Sequence, residues 1–185
     1  TSCCSGAAMT FPFPILCPKS PSWVTSFTYT LADGSQVAGY ADWALRQAIP
    51  ASAISTSGST IRVTIKGNAT VTAKYDNISI VERSPGTVNG VTTPTELKFA
   101  GASGVTIAAG AEAVSDPLVF SIDETKPYFI HFDVASVNGA FQRHATAGDD
   151  AYYKVATNDW NTQSPTGYTL ITPYMFGVSK IEVLA

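Results

Sequence analysis

Residues 128–134 read YFIHFDV, that is Tyr128-Phe129-Ile130-His131-Phe132-Asp133-Val134, and this stretch decides the fold. An extended chain sends successive side chains to opposite faces, so Tyr128, Ile130, Phe132 and Val134 form one apolar stripe. Aromatic and β-branched residues suit a pleated, half-buried surface. The stretch therefore reads as a central strand whose even-numbered face is core. His131 and Asp133 leave the other face, which places them on the outer surface of the sheet, in solvent or at an interface. A carboxylate two residues from an imidazole can fix its tautomer or raise its pKa, as a general base requires. No nucleophile motif accompanies the pair, so no catalytic residue is assigned.

The same period of two extends in both directions. Trp23, Phe27, Tyr29 and Leu31 share a face, followed by an Asp33-Gly34 hairpin turn. Ile61, Val63 and Ile65 alternate with Arg62, Thr64 and Lys66. Further runs are Val71, Ala73 and Tyr75; Ile78 and Ile80; Leu97 and Phe99; Val105 and Ile107; and Leu118, Phe120 and Ile122. Met175, Phe176, Val178, Ile181 and Val183 close the chain. Between them lie turn clusters at Ser57-Gly58-Ser59, Lys66-Gly67-Asn68, Ser84-Pro85-Gly86, Asn89-Gly90, Gly101 to Gly104 and Asn138-Gly139. About nine to eleven short strands with regularly spaced turns predict an all-β, antiparallel β-sandwich of jelly-roll-like type. The nearest helical candidate, Tyr40 to Ala48, ends at Ile49-Pro50 and reads equally well as an irregular strand.

This sandwich is expected over residues 22–185, preceded by an extended arm over 1–21. The arm holds Pro12, Pro14, Pro18 and Pro21, which lack backbone donors and disfavour a core strand. It also holds every cysteine of the chain: Cys3, Cys4 and Cys17. Adjacent Cα atoms lie about 3.8 Å apart across a trans peptide, below the usual disulfide span of about 4.4–6.8 Å, so Cys3 and Cys4 are poor partners. Three is an odd number, which leaves at least one thiol free or bonded to another chain. Bonds to a neighbouring subunit, a Cys17 pair within the arm, and inert reduced thiols all stay open. A tetrahedral zinc site wants four ligands, and the arm supplies too few. No lipobox precedes Cys3.

Composition excludes several functions. Charged residues make up 14% of the chain, 11 basic against 14 acidic, for a net charge of −3. No two Lys or Arg are adjacent, so no phosphate-tracking surface for nucleic acid is expected. The apolar stretch from Ala7 to Cys17 is too short to span a bilayer, which needs about 20 residues, so no membrane is expected. The first eight residues carry no Lys or Arg, so no secretory leader is read there. Either a leader has been removed or the protein reaches its place by assembly. Low charge with abundant Thr, Ser, Ala and Gly fits an extracellular or particle-surface β protein.

The blocks SGSTIRVTIKG (57–67), NISIVER (77–83), PTELKFAGASGVTIAAGAEAVSDPLVFSID (94–123), YFIHFDV and YMFGVSKIEVLA (174–185) carry a resemblance. They resemble a β-sandwich module of bacterial and phage proteins, known beside SGNH-type esterase domains and as stand-alone phage proteins. The resemblance spans about Leu45 to Ala185 and rests on strand patterning and on the Ala109-Gly110 and Ser115-Asp116-Pro117 turns. It implies a fold and no active site. An esterase of that type would need a Gly-Asp-Ser-type block and a later Asp-x-x-His, and neither stands here. Gly101-Ala102-Ser103-Gly104 also lacks the Gly-x-Ser-x-Gly spacing. The implied role is a non-enzymatic structural protein of a phage-like virion: a capsid decoration, minor capsid, collar or fibre component. Its partners would be other virion subunits bound through the arm, in an oligomer at the virion surface or outside the cell.

The alternative is a carbohydrate-binding or adhesion module. Tyr152, Tyr153, Trp160, Tyr168 and Tyr174 sit in or beside loops rich in Asn, Asp, Gln and Thr. Aromatic faces against sugar C–H groups, with amides on the hydroxyls, would make a glycan contact. The bland reading of the same residues is core filling. Asp149-Asp150 and Asn158-Asp159 match no calcium-loop spacing and read as plain loop, so no metal and no cofactor are expected. Two glycosylation sequons, Asn68-Ala69-Thr70 and Asn77-Ile78-Ser79, are no more than chance supplies in a chain this rich in Thr and Ser.

Overall fold

The structure is a computed structural model that describes residues 21–31, 36–38, 40–137, 140–144, 150–155, 158–171 and 174–185, with side chains at all of these except 36–38 and 141–144. Cys3, Cys4 and Cys17 lie outside the described residues, as do the Asp33-Gly34 and Asn138-Gly139 turns. The strands are β1 (Trp23–Thr28), β2 (Gln36–Ala38), β3 (Trp43–Ile49), β4 (Gly58–Lys66), β5 (Ala73–Glu82), β6 (Thr95–Glu96), β7 (Lys98–Phe99), β8 (Ala102–Ser103) and β9 (Val105–Ile107). They continue as β10 (Glu112–Val114), β11 (Leu118–Ile122), β12 (Tyr128–Val134), β13 (Ala140–His144), β14 (Ala151–Val155), β15 (Thr169–Ile171), β16 (Met175–Phe176) and β17 (Val178–Leu184). Within the segment Tyr40 to Ala48, residues 41–42 form a turn and strand β3 begins at Trp43, and the helical content described is one short 3-10 turn at Ala51–Ala53. No helix among the described residues is long and apolar enough to cross a membrane.

Two antiparallel sheets make a β-sandwich. One is five-stranded, ordered β1-β17-β4-β10, with β11 also on β4. The other is seven-stranded, ordered β15-β14-β3-β12-β5-β6, with β9 on β5. Ile61, Val63, Ile65, Ile181 and Val183 of the first meet Leu45, Ile49, Ile78, Ile80, Ile130 and Phe132 of the second in one core. Each such side chain contributes roughly 1.5–3 kcal/mol of transfer free energy. The Gln47 amide enters this core and is satisfied. Gln47 Oε1 accepts from the Phe176 amide at 2.8 Å, and Nε2 donates to Ala48 O at 2.9 Å, which ties β16 to β3.

Three of the four register shifts among the described strands reconcile the sequence pattern with the core; the fourth lies in β11 between Val119 and Ile122. Val24 pairs with Val183 and Phe27 with Ile181, with the register shift between Thr25 and Phe27. Trp23 therefore lies on the face opposite Phe27, which corrects the reading that put them together. In β5 the shift falls at Asp76, so Tyr75 and Ile78 both turn inward on one continuous strand. In β17 it falls between Val178 and Lys180, so Val178 and Ile181 are both core. An extra residue in one strand flips the alternation once. Each bulge here separates two apolar residues three apart.

Gly58 was expected in a turn but opens β4. A Cβ there would stand 2.6 Å from Val183 Cβ, so glycine serves a close approach of two strands. Val71 was read as the start of a strand and is instead exposed in the turn before β5.

Candidate functional site

The outer face of the seven-stranded sheet carries the densest polar cluster described. Pairing across four strands sets Tyr152, Arg46, His131 and Ser79 in one row, with Glu96 of β6 at its end. The next row runs Lys154, Ala44, Asp133 and Asn77. On the other side lies an apolar row of Ala48, Phe129 and Val81. Residues directly opposite in an antiparallel sheet share a face, so these three rows form a continuous patch.

The patch is not solvated. All seven residues of β12 are buried, with His131 1% exposed, Asp133 4% and Arg46 0%. The expectation that His131 and Asp133 sit in solvent or at an interface is thus overturned. A strap formed by residues 158–168 lies over the rows. Irregular backbone near a buried surface needs partners for its polar groups. The sheet supplies them. Arg46 donates to the carbonyls of Val88, Asp159 and Thr162. Ser79 Oγ donates to Trp160 O at 2.7 Å, and His131 Nδ1 bonds the same oxygen at 3.0 Å. Asp133 Oδ1 accepts the Asp159 amide at 3.2 Å. Farther along, Gly90 N–H donates to Gln163 O at 2.8 Å, and Gln163 Nε2 returns a bond to Val91 O at 2.9 Å.

These bonds set the electrostatics. A carbonyl only accepts, so Nδ1 of His131 carries the proton and Nε2 is bare, buried and without a partner. Burial, with the Arg46 charge beside it, pushes the imidazole pKa well below its ordinary value, against the opposing pull of the Trp160 carbonyl. Burial pushes the Asp133 carboxyl up to about 6, the strap amides of Asp159 and Trp160 pull it down, and the Asp159 and Asp76 charges push it up. Tyr168 packs beneath the Arg46 guanidinium, 5.0 Å from ring centroid to Cζ, and burial raises its hydroxyl pKa to about 12. Lys154 and Asp159 form an ion pair at 3.3 Å at the edge of the cluster.

No family model and no curated protein matches the chain. What the cluster does must therefore be read from its geometry. Ser79, His131 and Asp133 have the residue types of a hydrolytic triad but not its connections. Ser79 and His131 converge on one carbonyl instead of bonding each other, and Asp133 holds strap amides. Their hydrogen bonds mount the strap on the sheet. Among the described residues no group of three His, Cys, Asp or Glu side chains could hold a metal ion.

The five aromatics read as a glycan contact divide between the two faces. Tyr152 packs on Phe129 edge-on, centroids 5.8 Å apart, and its hydroxyl accepts from Arg83 at 3.0 Å on the strap side. Trp160 and Tyr168 belong to the strap. Tyr153 points the other way and stacks on Trp43 at 4.7 Å, and Tyr174 stacks on Phe176 at 6.2 Å, both packed against the main core. Arg46 is not singled out by the sequence, and Ser79 and Asp159 enter it only as part of a sequon and of a plain loop. They come from three distant segments: sheet pairing aligns Arg46 and Ser79 with His131, and the strap's hydrogen bonds add Asp159. The sequons are absorbed structurally: Asn68 is buried and its Oδ1 accepts from Thr70 and Val71, while Ser79 anchors Trp160.

Proposed function

We propose that this protein is a non-enzymatic structural module of an assembled particle of the phage-virion kind, fastened to neighbouring subunits through Cys3, Cys4 and Cys17. The observation that carries this reading is where the cysteine-bearing segment joins the body. Ser22 exchanges backbone hydrogen bonds with Ala185 at 2.9 and 3.0 Å and leads directly into β1, which among the described residues pairs with β17 only. A tether entering at a sheet edge loads a ladder of backbone hydrogen bonds along the last strand. The polar cluster supports the same reading, since its donors are spent on holding a strap. The resemblance of residues 45–185 to sandwich modules of bacterial and phage proteins supplies the setting. The divided aromatics offer no single platform for a sugar, so the glycan reading is not advanced.

The test is recovery of the native assembly, non-reducing and reducing gels, and mass-spectrometric mapping of the three cysteines. Crosslinked species that collapse on reduction, with peptides joined between chains, are the expected result. A monomer with three reduced thiols would sink the proposal.

A further inference from the structure

The five-stranded sheet is open along β11. Ser115 N–H donates to Val63 O and Val63 N–H to Ser115 Oγ, both at 2.9 Å, while Lys66 N–H donates to Gly177 O at 2.7 Å, just before β17. Backbone groups alternate in direction along a strand, so odd residues of β4 address the β10–β11 side and even residues the β17 side. Leu118 stands opposite Ile61 and spends its own N–H and C=O on β4. Val119, opposite Thr60, therefore turns its N–H and C=O to the open edge, and its side chain is 84% exposed. Among the described residues, no backbone hydrogen bond of 118–122 goes to anything but β4. The far edge of the same sheet is met by Ser55, whose N–H and Oγ donate to Ser26 O of β1 at 2.8 and 3.0 Å. Natural edge strands are commonly blunted by charge, proline or a cover. β11, Leu-Val-Phe-Ser-Ile, carries no charge and no proline, and its inward residues Leu118 and Phe120 are only half-buried. The register shift after Val119 keeps the available edge short.

The chain also holds a segment suited to closing one such edge. Residues 10–16, outside the described residues, read TFPFPIL. Phe11, Phe13 and Ile15 have one parity, Pro12 and Pro14 the other. In an extended segment the first set directs its N–H and C=O groups to one side, and the prolines, which lack N–H, fall on the opposite side. Such a strand pairs along one side only and ends a sheet, which is where proline in a strand is tolerated. We propose that residues 10–16 of one copy add as a strand to the β11 edge of a neighbouring copy. The proposal rests on the reading that the arm engages a neighbour, but not on its cysteines. Phe11, Phe13 and Ile15 then lie on the outer face beside Val119, and Pro12 and Pro14 cover Leu118 and Phe120. Residues 7–18 and β11 contain no charged side chain, so the contact desolvates no charge.

Reach favours a neighbour's edge over the chain's own. Val24, Val183, Ile61 and Leu118 stand in one row across β1, β17, β4 and β11. A strand added beyond β11 lies four strand spacings from β1, about 19 Å. The link from Ile15 to Ser22, which is tied to Ala185, spans about 23 Å at full stretch. It would have to run nearly straight across a face of the sandwich, over the side chains that stand on it. A second copy imposes no such limit.

The experiment is sedimentation equilibrium and amide hydrogen exchange on the full-length chain carrying Cys3→Ser, Cys4→Ser and Cys17→Ser, which removes crosslinking as a cause. In that background Phe13→Pro takes a donor from the arm. Val119→Pro takes the N–H at the open edge and no bond to β4. Val119→Lys is a second edge variant should urea denaturation show that proline disturbs the fold. The expected result is a mass at least twice that of one chain and a protected Val119 amide, the mass falling to one chain in each variant and the amide exchanging fast in Phe13→Pro. Mixing Phe13→Pro with Val119→Pro should restore an equimolar pair, since each supplies what the other lacks. A monomer whose Val119 amide exchanges fast overturns the proposal, and interchain disulfides in the native assembly would then leave the fastening reading standing. A monomer with a protected Val119 amide places the arm on its own edge and overturns the assignment to a neighbour. Oligomers that survive both the arm and the edge variants overturn it too, because another surface joins the copies.

Discussion

The two sheets turn the same kind of sequence pattern into different outer faces. On the five-stranded sheet Arg62 bonds Glu182 across strands at 2.7 Å, Lys180 reaches the same carboxylate at 3.3 Å, and the Arg62 guanidinium lies 4.6 Å from the Trp23 ring. This face is open at its margin, where Val119 is 84% exposed. On the seven-stranded sheet Arg46, Ser79, His131 and Asp133 occupy corresponding outward positions and are sealed by residues 158–168. An arginine on the first face is paired with a carboxylate beside water. An arginine on the second is spent on carbonyls. The difference lies in the cover and not in the strands.

Substitution of the two arginines should break this comparison most sharply. Arg46→Ala leaves the carbonyls of Val88, Asp159 and Thr162 without their donor, and a loss of about 3–5 kcal/mol is expected from urea denaturation. Faster hydrogen exchange through the strap should accompany it. If the loss is under about 1 kcal/mol, the strap is not held by the sheet in the way described.

The next effect is a pH dependence confined to the covered face. Asp133 has a folded pKa raised to about 6, so its contribution to stability is full below its unfolded value and is lost as pH rises through 6. The size is about 3 kcal/mol at full effect. His131 has a lowered folded pKa, so its contribution is present above the ordinary histidine range and is lost as pH falls below it. The groups facing this pair are Arg46 on β3, Lys154 on β14, Asp76 on β5 and Asp159 on the strap. Between pH 4 and 6 the two titrations oppose each other. Asp133→Asn removes the offset, so its urea midpoint should fall more steeply than that of the wild type from pH 7 to 5. Parallel profiles would contradict the buried assignment of Asp133.

The smallest effect belongs to the open face. Arg62→Ala removes a part-buried ion pair and a ring contact but leaves Lys180 on the Glu182 carboxylate, so about 1 kcal/mol is expected, shrinking with added salt. A loss equal to that of Arg46→Ala would erase the distinction between the faces.

Much of the fold was legible because strand alternation is a local property. The stripe of Tyr128, Ile130, Phe132 and Val134 is core, as are Ile61, Val63 and Ile65. The bulges were visible only as breaks of parity: Val24 to Phe27, Tyr75 to Ile78, and Val178 to Ile181. Reading the last two as separate or continuous runs required knowing what lay opposite. At Trp23 the break was missed, and the face assignment failed with it. Gly58 misled for a different reason, since turn glycine and close-packing glycine look the same in sequence.

By itself the sequence determined an all-β chain, the inward face of the strands whose alternation is unbroken, and the gathering of all cysteines before the sandwich. Tertiary structure alone decided what covers the face that turns away. The row through residues 152, 46, 131 and 79 is assembled by pairing four strands, and the strap crosses it from a fifth segment. Periodicity fixes the direction of a side chain relative to its own strand. It carries no information about which distant backbone will settle upon it, and that contact is what turns His131 and Asp133 from surface groups into buried ones.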